Sequence, residues 1–243
     1  MTPPRMDGRR WGTVVVWFRR DLRIHDHPAL VDAIANAHRV VPHFVLDPGL
    51  LEGRWPSANR AWYLMGCLGA LDAQLQGIGG RLIIRTGDPA VVVPAFAAAV
   101  AADAVLVTRD LGPYGRRRDR EVAVSLAADG RTFHARRGLV LAEPEALTTA
   151  QGGHYTVFSP FWRALSGIDR RQVLEAPTAM WMPDIDPGIL PDLGSPPATL
   201  PTPGEPAARE RLARWITDGV EGYHERRDEL SGAGTSHLSP DLH

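Results

Sequence analysis

The sequence contains no lysine: its 27 lysine-plus-arginine positions are all arginine, set against 28 acidic residues for a formal net charge of -1. That near-balance excludes a general polycation that coats nucleic acid through net charge, though not a local basic surface. Alanine is abundant as well, and the two together fit a GC-rich coding bias better than a separate role for each guanidinium. The single cysteine, Cys67, excludes an intramolecular disulfide and a cysteine-based metal site, and fits a reducing, cytoplasmic setting. Met1-Thr2-Pro3-Pro4-Arg5 has no apolar signal core. The longest apolar run, Ala90 to Ala102, is broken by Pro94 and closed by Asp103, so it does not read as a membrane span. Neither a Gly-rich dinucleotide fingerprint nor a P-loop follows the first apolar run. His25, His27 and His43 match no strong metal-ligand spacing and read as surface or core histidines.

What is present is an ordinary globular composition, 44% hydrophobic and 23% charged over 243 residues, enough for a substantial core. From residue 13 short β-branched runs alternate with alanine- and leucine-rich segments, the pattern of a parallel sheet flanked by helices. Strands are expected at Thr13–Phe18, Val40–Leu46, Leu82–Arg85, Ala104–Thr108 and Thr132–Ala135. Helices are expected near Pro28–Ala37, Asn59–Gln76, Pro89–Ala101 and Arg116–Ala128. The fold class is therefore α/β, a doubly wound five-stranded parallel sheet, followed by a Pro-rich linker and a short helical tail. Leu64, Leu68, Leu71 and Leu75 recur at helical spacing and form a core stripe. Asp26 is positioned to cap the first helix, and Gly77, Gly79 and Gly80 end the second. Nine of the 21 prolines fall between Pro177 and Pro206, a linker or extended surface crossing. Beyond it Leu212, Trp215 and Ile216 share a helical face, with Arg209, Arg211 and Arg214 mostly outside it.

The first strand runs into Trp17-Phe18-Arg19-Arg20-Asp21-Leu22-Arg23, which puts guanidinium groups and a carboxylate at a strand's C-terminal edge, where open α/β sheets bind ligands. Arginine there can hold a phosphate or carboxylate in bidentate fashion, and a salt-bridge cluster closing the turn is the plainer account. At Thr108-Arg109-Asp110-Leu111-Gly112-Pro113-Tyr114-Gly115-Arg116 a strand ends in a Gly-Pro turn before an arginine-rich helix. Tyr114 with those arginines suits a planar cofactor, and equally a solvated charge run. Ser159 sits among aromatics that favour packing over an activated nucleophile, and Asp184 and Asp186 read as a solvated loop. Gly234-Thr235-Ser236-His237-Leu238-Ser239-Pro240 offers hydroxyls and backbone N–H groups that can bind phosphate or simply cap a helix.

Taken in order, these pieces resemble the DNA photolyase and cryptochrome family. The resemblance rests on Trp17 through Arg23 with His27-Pro28-Ala29-Leu30, on Phe44-Val45-Leu46-Asp47-Pro48, and on Pro113-Tyr114-Gly115-Arg116-Arg117-Arg118-Asp119. Tyr155-Thr156-Val157-Phe158-Ser159-Pro160-Phe161 and the stretch from Tyr223-His224-Glu225-Arg226-Arg227-Asp228 to Pro240 complete it. It implies a disordered N-terminus over 1–10, an antenna domain over 11–172 and the linker over 173–206. Residues 207–243 would open a helical FAD-binding domain whose remainder is absent. Tyr223, Thr235, Ser236, His237, Leu238 and Ser239 would form an early part of the FAD site. Asp47, Arg109, Asp110, Leu111, Tyr114 and Arg116 would contact an antenna pigment, a folate, a deazaflavin or a flavin. The family reaction is light-driven repair of cyclobutane pyrimidine dimers in DNA. The expectation here is an N-terminal portion that cannot complete it alone, with weak DNA binding and a separately encoded C-terminal half as a possible complement. An antenna module and a cryptochrome-type signalling fragment are the alternatives.

Overall fold

The computed structural model describes residues 8–53, 56–196, 198–229 and 234–242. The expected disordered N-terminus over 1–10 therefore falls largely outside the described residues. Five parallel strands, β1 (Trp11–Phe18), β2 (Ala37–Leu46), β3 (Ile83–Thr86), β4 (Ala104–Thr108) and β5 (Thr132–Arg136), form one sheet in the order β3-β2-β1-β4-β5. Strand order reverses between β1 and β4, so those strands flank the topological switch point.

β1 is buried on both faces, which its Val14-Val15-Val16 run requires. Val14, Val16 and Phe18 join one core with α1 (Pro28–Asn36) and α3 (Ala58–Gln76), through Leu30, Leu68, Leu71 and Leu75. Val15 and Trp17 join the other core with α4 (Pro89–Ala99) and α5 (Pro113–Ala128), through Val93, Phe96, Val122 and Leu126. A short α2 (Pro48–Leu51) follows β2.

Local chemistry shifts several expected boundaries. α5 begins at Pro113, not Arg116, because proline at the first helical position gives up an N–H that has no helical partner anyway. The Gly-Pro turn is thus the helix start. The cap of α1 is His27, whose Nδ1 accepts from Leu30 N at 3.0 Å, and not Asp26. Asp26 has φ 52° and turns its carboxylate to Arg171 and the Leu174 amide. In α3, Met65 takes a buried position and Leu64 is only partly buried.

The proline-rich segment runs across the sheet margin as a strap. Its carbonyls at Trp181 and Pro187 accept from Val40 N and Ile84 N at 2.9 and 2.7 Å, and Met180, Met182 and Ile185 pack against the cores. Proline suits this duty, since it donates nothing and blunts an edge strand's capacity to pair. Two helices lie beyond the sheet, α6 (Phe158–Ser166) and α7 (Glu205–Asp218), with a short turn α8 (Tyr223–Arg226). α6 was not foreseen, and the aromatics around Ser159 are not packed inward. Phe158 and Trp162 are exposed and stack on each other, centroids 6.1 Å apart. The Leu212 and Ile216 face of α7 is likewise exposed. Glu205, the buried residue of α7, accepts from Ile24 N and Gln74 Nε2 at 2.9 and 3.0 Å, which moors the helix to the sheet domain.

Candidate functional site

The C-terminal edge of the sheet carries the polar groups of interest. Below it lies a closed network. Asp21, 2% exposed, sits 2.7 Å from His27 Nε2 and accepts from Thr108 Oγ1 and from Arg19 N. Because His27 Nδ1 accepts from Leu30 N, Nε2 is the ring nitrogen left facing Asp21. Burial by itself would raise the Asp21 pKa, but His27, Thr108 and Arg19 outweigh it and hold the carboxyl far below the usual range. Arg19 bonds Asp119 and the Thr108 carbonyl, and Arg23 bonds the carbonyls of His25, Asp26 and Gly138. The opening motif therefore consumes its own charges, as the salt-bridge account expects, and Arg19 and Arg23 are not poised for an anion.

Above this network is an open cavity of about 400 Å³. Asp47, at the end of β2, caps α2 by accepting from Gly49 N at 2.8 Å, and takes a 2.5 Å hydrogen bond from the Tyr114 hydroxyl across the cavity. Partial burial first, and then Asp47, push the Tyr114 phenol up to about 12, so it remains a donor at neutral pH. Arg118 lies between two rings, 4.9 Å from the Trp17 centroid and 5.6 Å from that of Tyr114, while Arg19 lies 4.9 Å from the Trp17 ring on its own account. Arg118 is anchored by Asp119 and Asp110 at 3.1 and 3.5 Å. Arg117 is largely exposed, 4.0 Å from Glu121 and 5.9 Å from the Tyr114 ring centroid, and Asp88 lines the opposite wall. A larger hollow of about 540 Å³, beside Trp11 and Arg131, lies at the N-terminal edge, away from these groups.

The expected antenna residues divide. Asp47 and Tyr114 meet in the cavity. Asp110 supports it from behind, through Arg118 and by accepting from Gly112 N. Its carboxyl leaves no room for a side chain at residue 115, where an added Cβ would lie 2.1 Å from Asp110 Cγ. Leu111 is half-buried in the turn and does not line the cavity. Arg109 turns instead to Glu143 and Glu145, and Arg116 faces outward. Arg117, Arg118, Asp88 and Glu121 were missed as site residues. Once α5 is known to start at Pro113, the spacing 114, 117, 118, 121 puts that set on one face.

The tail forms a second polar surface. Gly234 lies against Arg226 so closely that a Cβ would come within 1.9 Å of the Arg226 carbonyl, which brings Thr235 back beside the turn carrying Tyr223. Tyr223 is exposed and meets Trp215 edge-on. Thr235, His237 and Ser239 are exposed, Ser236 and Leu238 half-buried, and His237 has φ 51°. Asp241 fixes this segment to α3 and α7 through Tyr63 and Arg211, so Arg211 turns inward, away from the exposed Leu212 and Ile216. Of the early histidines, His43 donates from Nδ1 to Ile83 O at 2.9 Å and stacks on Phe96 deep in the core. Burial lowers its pKa to about 4.

Residues 14–179 match the family model described as DNA photolyase. The chain is 37% identical over 93% of its length to an uncharacterized 31.6 kDa protein encoded 5′ of atpI in Synechococcus sp. (strain PCC 6716), spanning 82% of that protein. It is 35% identical to the deoxyribodipyrimidine photo-lyase of Streptomyces griseus over 94% of its length, but spans only 52% of that enzyme. Its fold matches the class III photolyase of Agrobacterium tumefaciens with a TM-score of 0.81 at 31% identity, covering 98% of this chain and 51% of that one. An archaeal photolyase from Sulfolobus tokodaii, described with two FAD molecules and a novel light-harvesting cofactor, matches with a TM-score of 0.76 at 25% identity over 95% of this chain and 51% of its own. The chain thus spans about half the length of the curated photolyases it matches.

Proposed function

Because this chain belongs to the DNA photolyase family and carries its N-terminal α/β domain, we propose that it holds a light-harvesting pigment at the C-terminal edge of its sheet and does not repair DNA by itself. The observation that supports this most is the cavity beneath Tyr114. It is open, ring-sided and polar, and it lies beside the switch point, where α/β sheets take ligands. The Tyr114 face stacks on a planar ring. Asp47 and Asp88 accept from ring N–H groups, and Arg117 meets a carboxylate or phosphate on the ligand's tail. Asp110, Asp119 and Arg118 keep this wall rigid. None of these side chains is an activated nucleophile or general base, so the protein's part is to bind and orient, while the pigment supplies light absorption. The second FAD of the Sulfolobus tokodaii protein favours a flavin among the three pigments.

The tail is the proposed beginning of an FAD phosphate site, with Ser236, His237 and Tyr223 at its surface. Near-neutral charge gives this chain little general attraction for DNA. In this reading the α/β domain runs to about residue 172, followed by the strap and, from 207, a helical region. Repair, and a cytoplasmic site of action on damaged DNA, belong to an assembly containing the other half of the relatives' length, in the same or a separate polypeptide. Among the described residues no helix is long and apolar enough to cross a membrane. Illuminating the purified 243-residue chain with reduced FAD and dimer-containing DNA is expected to leave the dimers intact. Measurable loss of dimers would overturn the division of labour.

A further inference from the structure

From Pro89 to Ala102 the chain contains no polar side chain. Only part of this stretch is buried: Val93, Phe96 and Ala97 enter the core, while Val91 is 66% exposed and Ala95 and Ala99 face outward. A surface helix ordinarily turns polar residues to water. Here the outward face of α4 is one wall of an open groove of about 740 Å³, with Pro183 and Ile185 of the strap opposite. Arg39 and Arg85 also line it. Arg85 bonds only carbonyls, those of Ile84 and Asp186 at 2.6 and 3.0 Å, and lies 5.4 Å from the Phe96 centroid. Arg39 is half-buried, and its guanidinium has no hydrogen-bond or ion-pair partner among the described residues. The charged group facing these guanidiniums from the strap is Asp184, exposed at the rim and paired with neither.

The groove has a direction. Asp103 N donates to Thr13 O at 2.8 Å and Thr13 is in register with Arg39, so Arg39 stands at the Ala101 end and Val91 at the other. The helical rise between them gives a lane of about 15 Å.

We propose that this groove is a second ligand site, taking a small anionic amphiphile whose carboxylate or sulfonate meets Arg39 and whose apolar body lies along α4. The volume falls within the range of small-molecule sites. The unpaired guanidinium of Arg39 favours an anion at the Ala101 end, and its planar fork matches two oxygens. The site is separate from the pigment cavity and does not depend on it.

Fluorescence titration of the full chain with 1-anilinonaphthalene-8-sulfonate tests the proposal. One saturable site is expected, displaced by decanoate at least about tenfold more effectively than by decyltrimethylammonium. Ala95→Trp, a substitution at an exposed helical position that fills the groove, is expected to abolish the signal with the circular dichroism spectrum unchanged. Arg39→Met is expected to weaken binding by about tenfold. Glu121→Trp, in the pigment cavity, leaves it unchanged. Absence of a saturable site, retention of binding in Ala95→Trp, or equal displacement by the cationic competitor would overturn it. So would dimers that dissociate on Ala95→Trp, which would make the groove a contact between copies.

Discussion

At the scale of single residues, the two most buried polar networks do opposite things with protons. His43 is kept neutral in the folded chain, its pKa near 4 against an ordinary 6.5. The unfolded chain therefore binds an extra proton between those values, and stability falls as pH drops from about 6.5 to 4, by on the order of 3 kcal/mol. His43→Leu is expected to flatten that part of the pH profile, at a cost of about 1 kcal/mol at neutral pH for the orphaned Ile83 carbonyl. Urea denaturation at stepped pH checks this, and an unchanged slope in the variant would refute it. Asp21 works the other way. Its depressed pKa contributes stability that is complete above the ordinary carboxylate range and is lost progressively as pH falls below it, so it does not overlap the His43 window. Asp21→Ala strands the Thr108 hydroxyl and the Arg19 amide and removes the carboxylate beside His27, and a loss on the order of 3 kcal/mol in the same assay is expected. Neither effect was legible in the sequence. Asp21 reads as one carboxylate among arginines, and only the fold shows that a threonine 87 positions on and a helix-capping histidine close around it.

At the scale of elements, hydrophobic pattern did most of the work and local chemistry the rest. The strands were legible because a sheet buried on both faces leaves continuous β-branched runs such as Val14-Val15-Val16. α6 was not, because Phe158-Ser159-Pro160-Phe161-Trp162 looks like core to a reader weighing aromatics, whereas its rings lie at the surface. The start of α5 was missed because Gly112-Pro113 reads as a turn. That one boundary decided the site, pointing to Arg116 instead of Arg117 and the inward-facing Arg118. The strap shows how a segment without regular structure can still be fixed. At Gly188, φ is 75° and an added Cβ would lie 2.3 Å from the Ile84 carbonyl. Gly188→Ala is expected to lift the strap from β3 at a cost of about 1–3 kcal/mol. Faster hydrogen exchange at the Ile84 amide, which donates to Pro187, is the accompanying sign; unchanged protection there would show that the strap does not hold this edge.

At the scale of the whole molecule, the sheet domain is a finished unit with two filled cores, and beyond it α6, α7 and the tail expose Phe158, Trp162, Leu212, Ile216 and Tyr223. That contrast agrees with a chain spanning about half of the photolyases it matches. The pigment reading lives in the finished part. Absorption titration of the purified chain with a folate, a deazaflavin and a flavin, in parallel with Glu121→Trp, tests it most directly, since Glu121 is exposed on α5 and its replacement fills the cavity beside Tyr114. The expected result is one-to-one retention of one of the three with a shifted absorption band, lost in Glu121→Trp. Failure to retain any of them, or retention undiminished in Glu121→Trp, would contradict the account.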